Sequence, residues 1–158
     1  MPDPTLRPYR PDDRAACLAL FASNMPHSFL PHEHAEFVEW LDGLDTPAAD
    51  ERAEYTVAQD GGRIVACGGI WWTEHASGFA WGMVERGLQR RGYGTLLVQA
   101  RLERLRALGV AEVALDTSQH TAPYYARFGF REVRRVPDGY GPGLDRVDMV
   151  ARLERSGS

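Results

Sequence analysis

Lysine is absent from the 158-residue sequence: all 18 of its basic residues are arginine. That absence excludes a Schiff-base lysine, a catalytic ammonium and the lysine of a Walker-type phosphate loop. Cysteine is nearly as scarce. Cys17 and Cys67 stand far apart and match no metal-binding spacing, so buried free thiols are expected rather than a disulfide framework. No run approaches the roughly 18 apolar residues that a membrane helix needs. Met1-Pro2-Asp3-Pro4 is not a basic stretch leading into an apolar one, so no secretory signal is expected and the chain is assigned to the cytoplasm. Surplus positive charge is missing too. With 22 acidic residues, 18 basic ones and a net charge of −4, a general nucleic-acid binder is not expected, which still leaves room for a local cationic patch. The all-arginine basic set, with abundant Gly, Ala and Pro, fits a GC-rich bacterial genome and carries no functional message.

What is present reads as one globular domain over residues 5–153, with a short flexible tail at 154–158. Apolar residues make up 44% and charged residues 25%, an ordinary balance for a folded chain. Leu6 to Arg10 reads as a short edge strand. Ala15 to Phe21 and about Pro31 to Leu44 carry apolar residues at helical spacing; Phe37, Trp40, Leu41 and Leu44 share one face. The period then drops to two. Tyr55 to Ala58, Arg63 to Thr73 and Phe79 to Val84 read as antiparallel strands joined by turns at Gln59-Asp60-Gly61-Gly62 and at His75 to Gly78. Gly92 to Leu108 is a long amphipathic helix, with Arg101, Glu103, Arg104 and Arg106 assigned to its wet face and Gly109 at its C-terminal stop. A strand at Ala111 to Leu115, a short helix at Ala122 to Phe128, a strand at Phe130 to Val136, a flexible loop at Gly139 to Gly143 and a strand at Arg146 to Leu153 complete the chain. The fold class is α/β (α+β): a mixed, mostly antiparallel central sheet with helices on both faces.

One segment carries chemistry. From Val84 to Thr95 a strand ends, a basic glycine-containing turn follows, and the long helix begins. A helix N-terminus exposes unpaired N–H groups and the positive end of its dipole, so it attracts phosphate. Gly92 and Gly94 remove side chains where an anion must reach backbone, and Arg90 and Arg91 add fixed positive charge. The physics alone gives an anion cradle without naming the anion.

A resemblance narrows it. Gln89-x-x-Gly92-x-Gly94 is similar to the (Arg/Gln)-x-x-Gly-x-(Gly/Ala) signature of the GNAT N-acetyltransferase superfamily, whose longer motif aligns from Val84 to Gly94 without a gap, Arg86 replacing a frequent proline. Tyr125-Ala126-Arg127-Phe128-Gly129-Phe130 resembles the Y-x-x-x-G-F run near the C-terminus of that family, and the likeness covers about Thr5 to Leu153. It implies acetyl-CoA as cosubstrate and a GNAT fold. Backbone at Met83 and Val84 would meet the pantetheine arm. The segment Gln89, Arg90, Arg91, Gly92, Tyr93, Gly94 and Thr95 would hold the diphosphate. Tyr125 would protonate the departing thiolate, since a phenol and a thiol are of comparable basicity. Ser118 stands where relatives often have a cofactor-contacting asparagine.

The general base has no motif. Glu74 and His75, just before the cradle strand, are the leading candidates, with Asp116 at a strand end as a further one. The loop between the first two helices flanks the acceptor site in this family, which brings Glu33 and the neighbouring histidines toward substrate. His27, His32 and His34 lack metal-ligand spacing, so no metal is expected. Tyr124 and the tryptophans Trp71, Trp72 and Trp81 are read first as packing residues, with one of the latter able to line the acceptor cleft. The resemblance implies transfer of acetyl to a primary amine of a small molecule or peptide, with no membrane or nucleic-acid partner and with a homodimer left open. A non-catalytic acyl-CoA sensor, or a transferase of another acyl group, is the alternative.

Overall fold

The computed structural model describes residues 4–153; the expected tail at 154–158 lies outside the described residues. Strand β1 (Thr5–Pro8) is followed by a single 3-10 turn and helices α1 (Arg14–Ser23) and α2 (Glu33–Asp45). Strands β2 (Ala53–Asp60), β3 (Arg63–Trp72) and β4 (Ser77–Val84) form an antiparallel meander, and α3 (Tyr93–Ala107) follows. Then come β5 (Glu112–Thr117), α4 (Ala122–Ala126), β6 (Arg131–Gly141) and β7 (Leu144–Arg152). Among the described residues the strands form one seven-stranded sheet in the order β1-β2-β3-β4-β5-β7-β6. Every neighbouring pair is antiparallel except β4 and β5, which run parallel.

Helices cover the sheet in two groups because the strands alternate their apolar residues between two sides. Cys17, Leu20 and Phe21 of α1 and Phe37 and Leu41 of α2 pack on Tyr55, Val57 and Cys67. Val98, Leu102 and Leu105 of α3 pack with Ile70, Phe79, Val113, Leu115 and Val147. Both cysteines are buried free thiols. Among the described residues no helix is long and apolar enough to cross a membrane.

Three local expectations are corrected. The flexible loop expected at Gly139 to Gly143 is instead the tip of the β6–β7 hairpin: β6 runs on to Gly141 through a register irregularity after Val136, and Gly141 pairs with Leu144. Glycine-rich sequence reads as loop, yet glycine also tolerates the positive φ that irregular strands and their turns require, 149° at Gly141 and 79° at Gly143. Helix α4 stops at Ala126, so Phe128 lies beyond it. The third correction matters most: Arg101, assigned to the wet face of α3, is only 4% exposed. Arg104 from the same face does lie outside, paired with Glu54 of β2 at 2.8 Å.

The edge strand is fastened by a buried ion pair. Asp13, 5% exposed, accepts from both terminal nitrogens of Arg7 at 2.8 Å and from the backbone N–H of Arg10 at 2.8 Å. The Arg7 guanidinium, ahead of the backbone bond, holds the Asp13 carboxyl below its ordinary range despite burial. A depressed folded value means that this contribution is full above the ordinary carboxylate pKa and disappears as pH falls through the folded one. Asp13→Asn is therefore expected to cost about 1–3 kcal/mol at neutral pH, with urea-unfolding midpoints of wild type and variant converging in acid.

Candidate functional site

The cradle takes its shape from backbone geometry. After β4 the chain makes a 3-10 turn at Arg86–Leu88, and Arg90 and Gly92 then adopt left-handed φ values of 70° and 91°. The second is cheap for glycine and the first is not for arginine. Gly92 occupies the N-cap of α3 without any side-chain cap. The amides of Tyr93, Gly94 and Thr95 consequently have no carbonyl a turn earlier in the helix to bond, and Arg90 and Arg91 are exposed beside them. A Cβ on Gly94 would meet the Tyr124 hydroxyl at 3.0 Å, and that hydroxyl lies 3.1 Å from Thr95 Oγ1. Tyr124 thus ties α4 to the first turn of α3, a role the sequence did not reveal. The Tyr93 side chain turns away to donate to Asp60, leaving its backbone to the cradle.

Beside the cradle the sheet parts. Strands β4 and β5 share one register pair, Gly78 with Ala114, and Ser77 Oγ donates to the Glu112 carbonyl at 2.6 Å at this closed end. A bulge moves β4 away: its pairing with β3 jumps from Ala80–Gly69 to Met83–Cys67, so Trp81 and Gly82 together oppose Gly68. Trp81 has a φ of 50°, and the Tyr55 hydroxyl pins its carbonyl at 2.7 Å. The bulge also reverses the alternation. Phe79 packs beneath α3, whereas Trp81 and Met83 pack beneath α1 and α2. The resulting cleft, of about 520 Å³, is lined from both faces of the sheet by residues including Gly82, Met83, Gln89, Ser118 and Tyr125.

Tyr125 stands half-buried on α4, edge-on to Tyr124 and Phe130, and its hydroxyl lies 3.4 Å from where a Cβ on Gly82 would be. Gln89 Nε2 donates to Asn24 Oδ1 at 3.2 Å, and Asn24 Nδ2 reaches the carbonyls of Val84 and Leu20 at 2.9 Å. Asn24, 3% exposed, therefore locks the end of β4, the cradle and α1 together. Nothing in the sequence spacing around Asn24 announced a partner on a strand 60 residues away. Ser118 reaches the cleft, but its hydroxyl accepts the His120 N–H at 3.2 Å and meets Thr121 Oγ1 at 3.3 Å, so it builds the entry to α4.

The opposite wall carries the carboxylates. Glu33, 6% exposed, accepts the Leu30 N–H at 2.9 Å, and burial pushes its carboxyl above the usual range. Asp116 accepts from the Tyr140 hydroxyl and lies 3.8 Å from Arg146. Burial, reinforced by Asp116, pushes the Tyr140 phenol up. Trp71 and Trp81 also line this region. Glu74 and His75 do not: both are exposed in the turn before β4, where the Thr73 hydroxyl accepts the His75 and Ala76 N–H groups. That turn belongs to the closed end of the split, so neighbourhood in sequence does not carry these residues to the cleft. His120, exposed in the turn before α4, stacks on His27 with ring centroids 4.9 Å apart.

The acetyltransferase (GNAT) family model matches residues 14–130, and the chain belongs to that family. No curated protein matches it. Among solved structures, the ribosomal-protein-S18-alanine N-acetyltransferase of Escherichia coli shares the fold at a TM-score of 0.79 and 18% identity, over 98% of this chain and 97% of that one. A Salmonella typhimurium protein solved with its cofactor acetyl-CoA gives 0.75 and 15%, over 99% and 98%. An aminoglycoside 6'-N-acetyltransferase complexed with coenzyme A gives 0.75 and 15%, over 98% and 99%. Acetyl-CoA is the cosubstrate that goes with this family and fold. The cradle fits its diphosphate: an uncapped helix start, glycines at positions 92 and 94 and two exposed arginines.

Proposed function

We propose that the chain is an acetyl-CoA-dependent N-acetyltransferase, one domain over residues 5–153, acting on a primary amine of a small molecule or peptide. The observation that carries this reading is an uncapped start of α3, tied through Thr95 and Tyr124 to α4, beside a cleft lined by Gln89, Tyr125 and Glu33. Acetyl-CoA supplies an acyl group already activated as a thioester. The amides of Tyr93 to Thr95, with Arg90 and Arg91, hold the diphosphate, and the backbone at the end of β4, at Met83 on the cleft and Val84 after it, meets the pantetheine arm. Tyr125 holds the proton that the leaving sulfur takes. Glu33, whose carboxyl is buried and raised, is the better-placed acceptor for the proton the amine must lose, replacing Glu74 in that role. The reaction is direct: the protein orients two substrates and manages two protons, and no side chain is acylated.

The test has two arms. Calorimetric titration with acetyl-CoA and a thermal-shift measurement are expected to show binding and stabilisation. Thiol release with a panel of amines is then expected to single out an acceptor class. Binding without turnover on any amine favours a non-catalytic acyl-CoA sensor, turnover only with a longer acyl-CoA a different acyltransferase, and no binding at all overturns the assignment.

A further inference from the structure

Arg101 is a buried cation that the reaction as described above leaves without a task. It lies on α3 two turns beyond the cradle, 4% exposed, its guanidinium carbon 3.9 Å over the centre of the Phe79 ring. Nε donates to the Leu97 carbonyl at 3.2 Å and Nη1 to the Gly69 carbonyl at 3.4 Å. Among the described residues Nη2 has no hydrogen-bond partner and no carboxylate pairs with the guanidinium. Burying most of a cation on so few partners is costly, and Nη2 keeps access to the cleft that Arg101 lines. The sheet has nevertheless been cleared for it: a Cβ on Gly68 would lie 2.8 Å from Cζ, and a Cβ on Gly82 3.1 Å from Nη2. That same point over Gly82 lies 3.4 Å from the Tyr125 hydroxyl. The guanidinium and the phenol therefore flank one spot on the cleft floor.

We propose that Arg101 is the counter-charge for the sulfur that leaves. The inference rests on the acetyl-CoA-dependent reading and assigns this residue a part in it. As the amine nitrogen forms its bond to the acyl carbon, the carbon–sulfur bond breaks and its electron pair moves to sulfur. Sulfur takes the Tyr125 proton, the phenol is reprotonated from solvent, and the proton shed by nitrogen leaves by way of Glu33. The products are an amide and the CoA thiol. Arg101 exchanges no proton and forms no bond in this sequence; fixed in place, it meets negative charge where that charge develops. Tyr124 and Tyr125 of α4 stand on its own side of the sheet, while Tyr55 and Cys67 of β2 and β3 lie across the sheet on the α1–α2 side. Asp116, on the cleft wall, is engaged by Tyr140 and Arg146.

CoA tests this without any acceptor, with desulfo-CoA as its control. A site that favours the thiolate lowers the pH at which the bound thiol ionises, so affinity climbs with pH between the bound and the free thiol values. CoA is expected to gain about tenfold or more over desulfo-CoA between about pH 6 and pH 9. Arg101→Met should bind both compounds and lose that gain. Arg101→Lys should keep most of it, and Gly68→Ala, which displaces the guanidinium while retaining its charge, should reduce it. Parallel pH curves for the two compounds on the wild-type protein overturn the proposal even if no Arg101 variant folds. A gain that survives Arg101→Met overturns it equally. If neither compound binds, the acetyl-CoA reading itself has failed.

Discussion

Gly94→Glu is expected to weaken acetyl-CoA binding about 100-fold or more, because it exchanges attraction for like-charge repulsion worth several kcal/mol. The substituted carboxylate would enter the space bounded by the unpaired amides of the first turn of α3 and compete there with the diphosphate. Its Cβ would also press the Tyr124 hydroxyl at 3.0 Å. The fold should tolerate the change, since a glutamate in a first helical turn complements the dipole, so the thermal midpoint of the free protein should move little. Gly94→Ala separates the two effects: it keeps the steric contact, adds no charge, and should cost only a few-fold. Calorimetry on both variants decides the point. Wild-type affinity in Gly94→Glu would place the diphosphate elsewhere.

Tyr125→Phe should lower acetyl transfer about 100-fold or more while leaving acetyl-CoA affinity within about twofold, the range expected for losing a positioned general acid. The ring remains, so the edge-on contacts with Tyr124 and Phe130 at centroid distances of 5.4 and 5.9 Å survive and the variant should fold. Only the hydroxyl facing the cleft is lost. Thiol release with the amine that the acceptor panel identifies, set beside a calorimetric Kd, measures both quantities. Unchanged turnover would remove Tyr125 from the chemistry, and a parallel loss of affinity would make it a binding residue.

The cradle was legible because its requirements are local: strand end, glycines at fixed offsets and a helix start lie within one short stretch from Val84 to Thr95. The order of strands and helices was legible too, through changes of period. What escaped depends on contacts between distant segments. Arg101 reads as a wet-face residue because its neighbours Glu103, Arg104 and Arg106 are charged; its burial follows from two glycines on strands it does not adjoin in sequence. Asn24 has no local signature at all. Glu74 lies away from the cleft for a related reason, since the split opens at the far end of β4 and sequence proximity to the cradle strand says nothing about which end that is. The reversal at Trp81 and Gly82 breaks the very periodicity by which strand faces are read.

That reversal turns what would be a wall into a window. In a regular strand, side chains on one face can serve only the compartment on that face, and two reactants held on opposite faces could never meet. By turning over midway, β4 lets one aperture be framed from both compartments, with α3 and its uncapped start on one side and the first helices on the other. The first helices can consequently be remodelled without disturbing the start of α3, because each packs on its own face of the sheet.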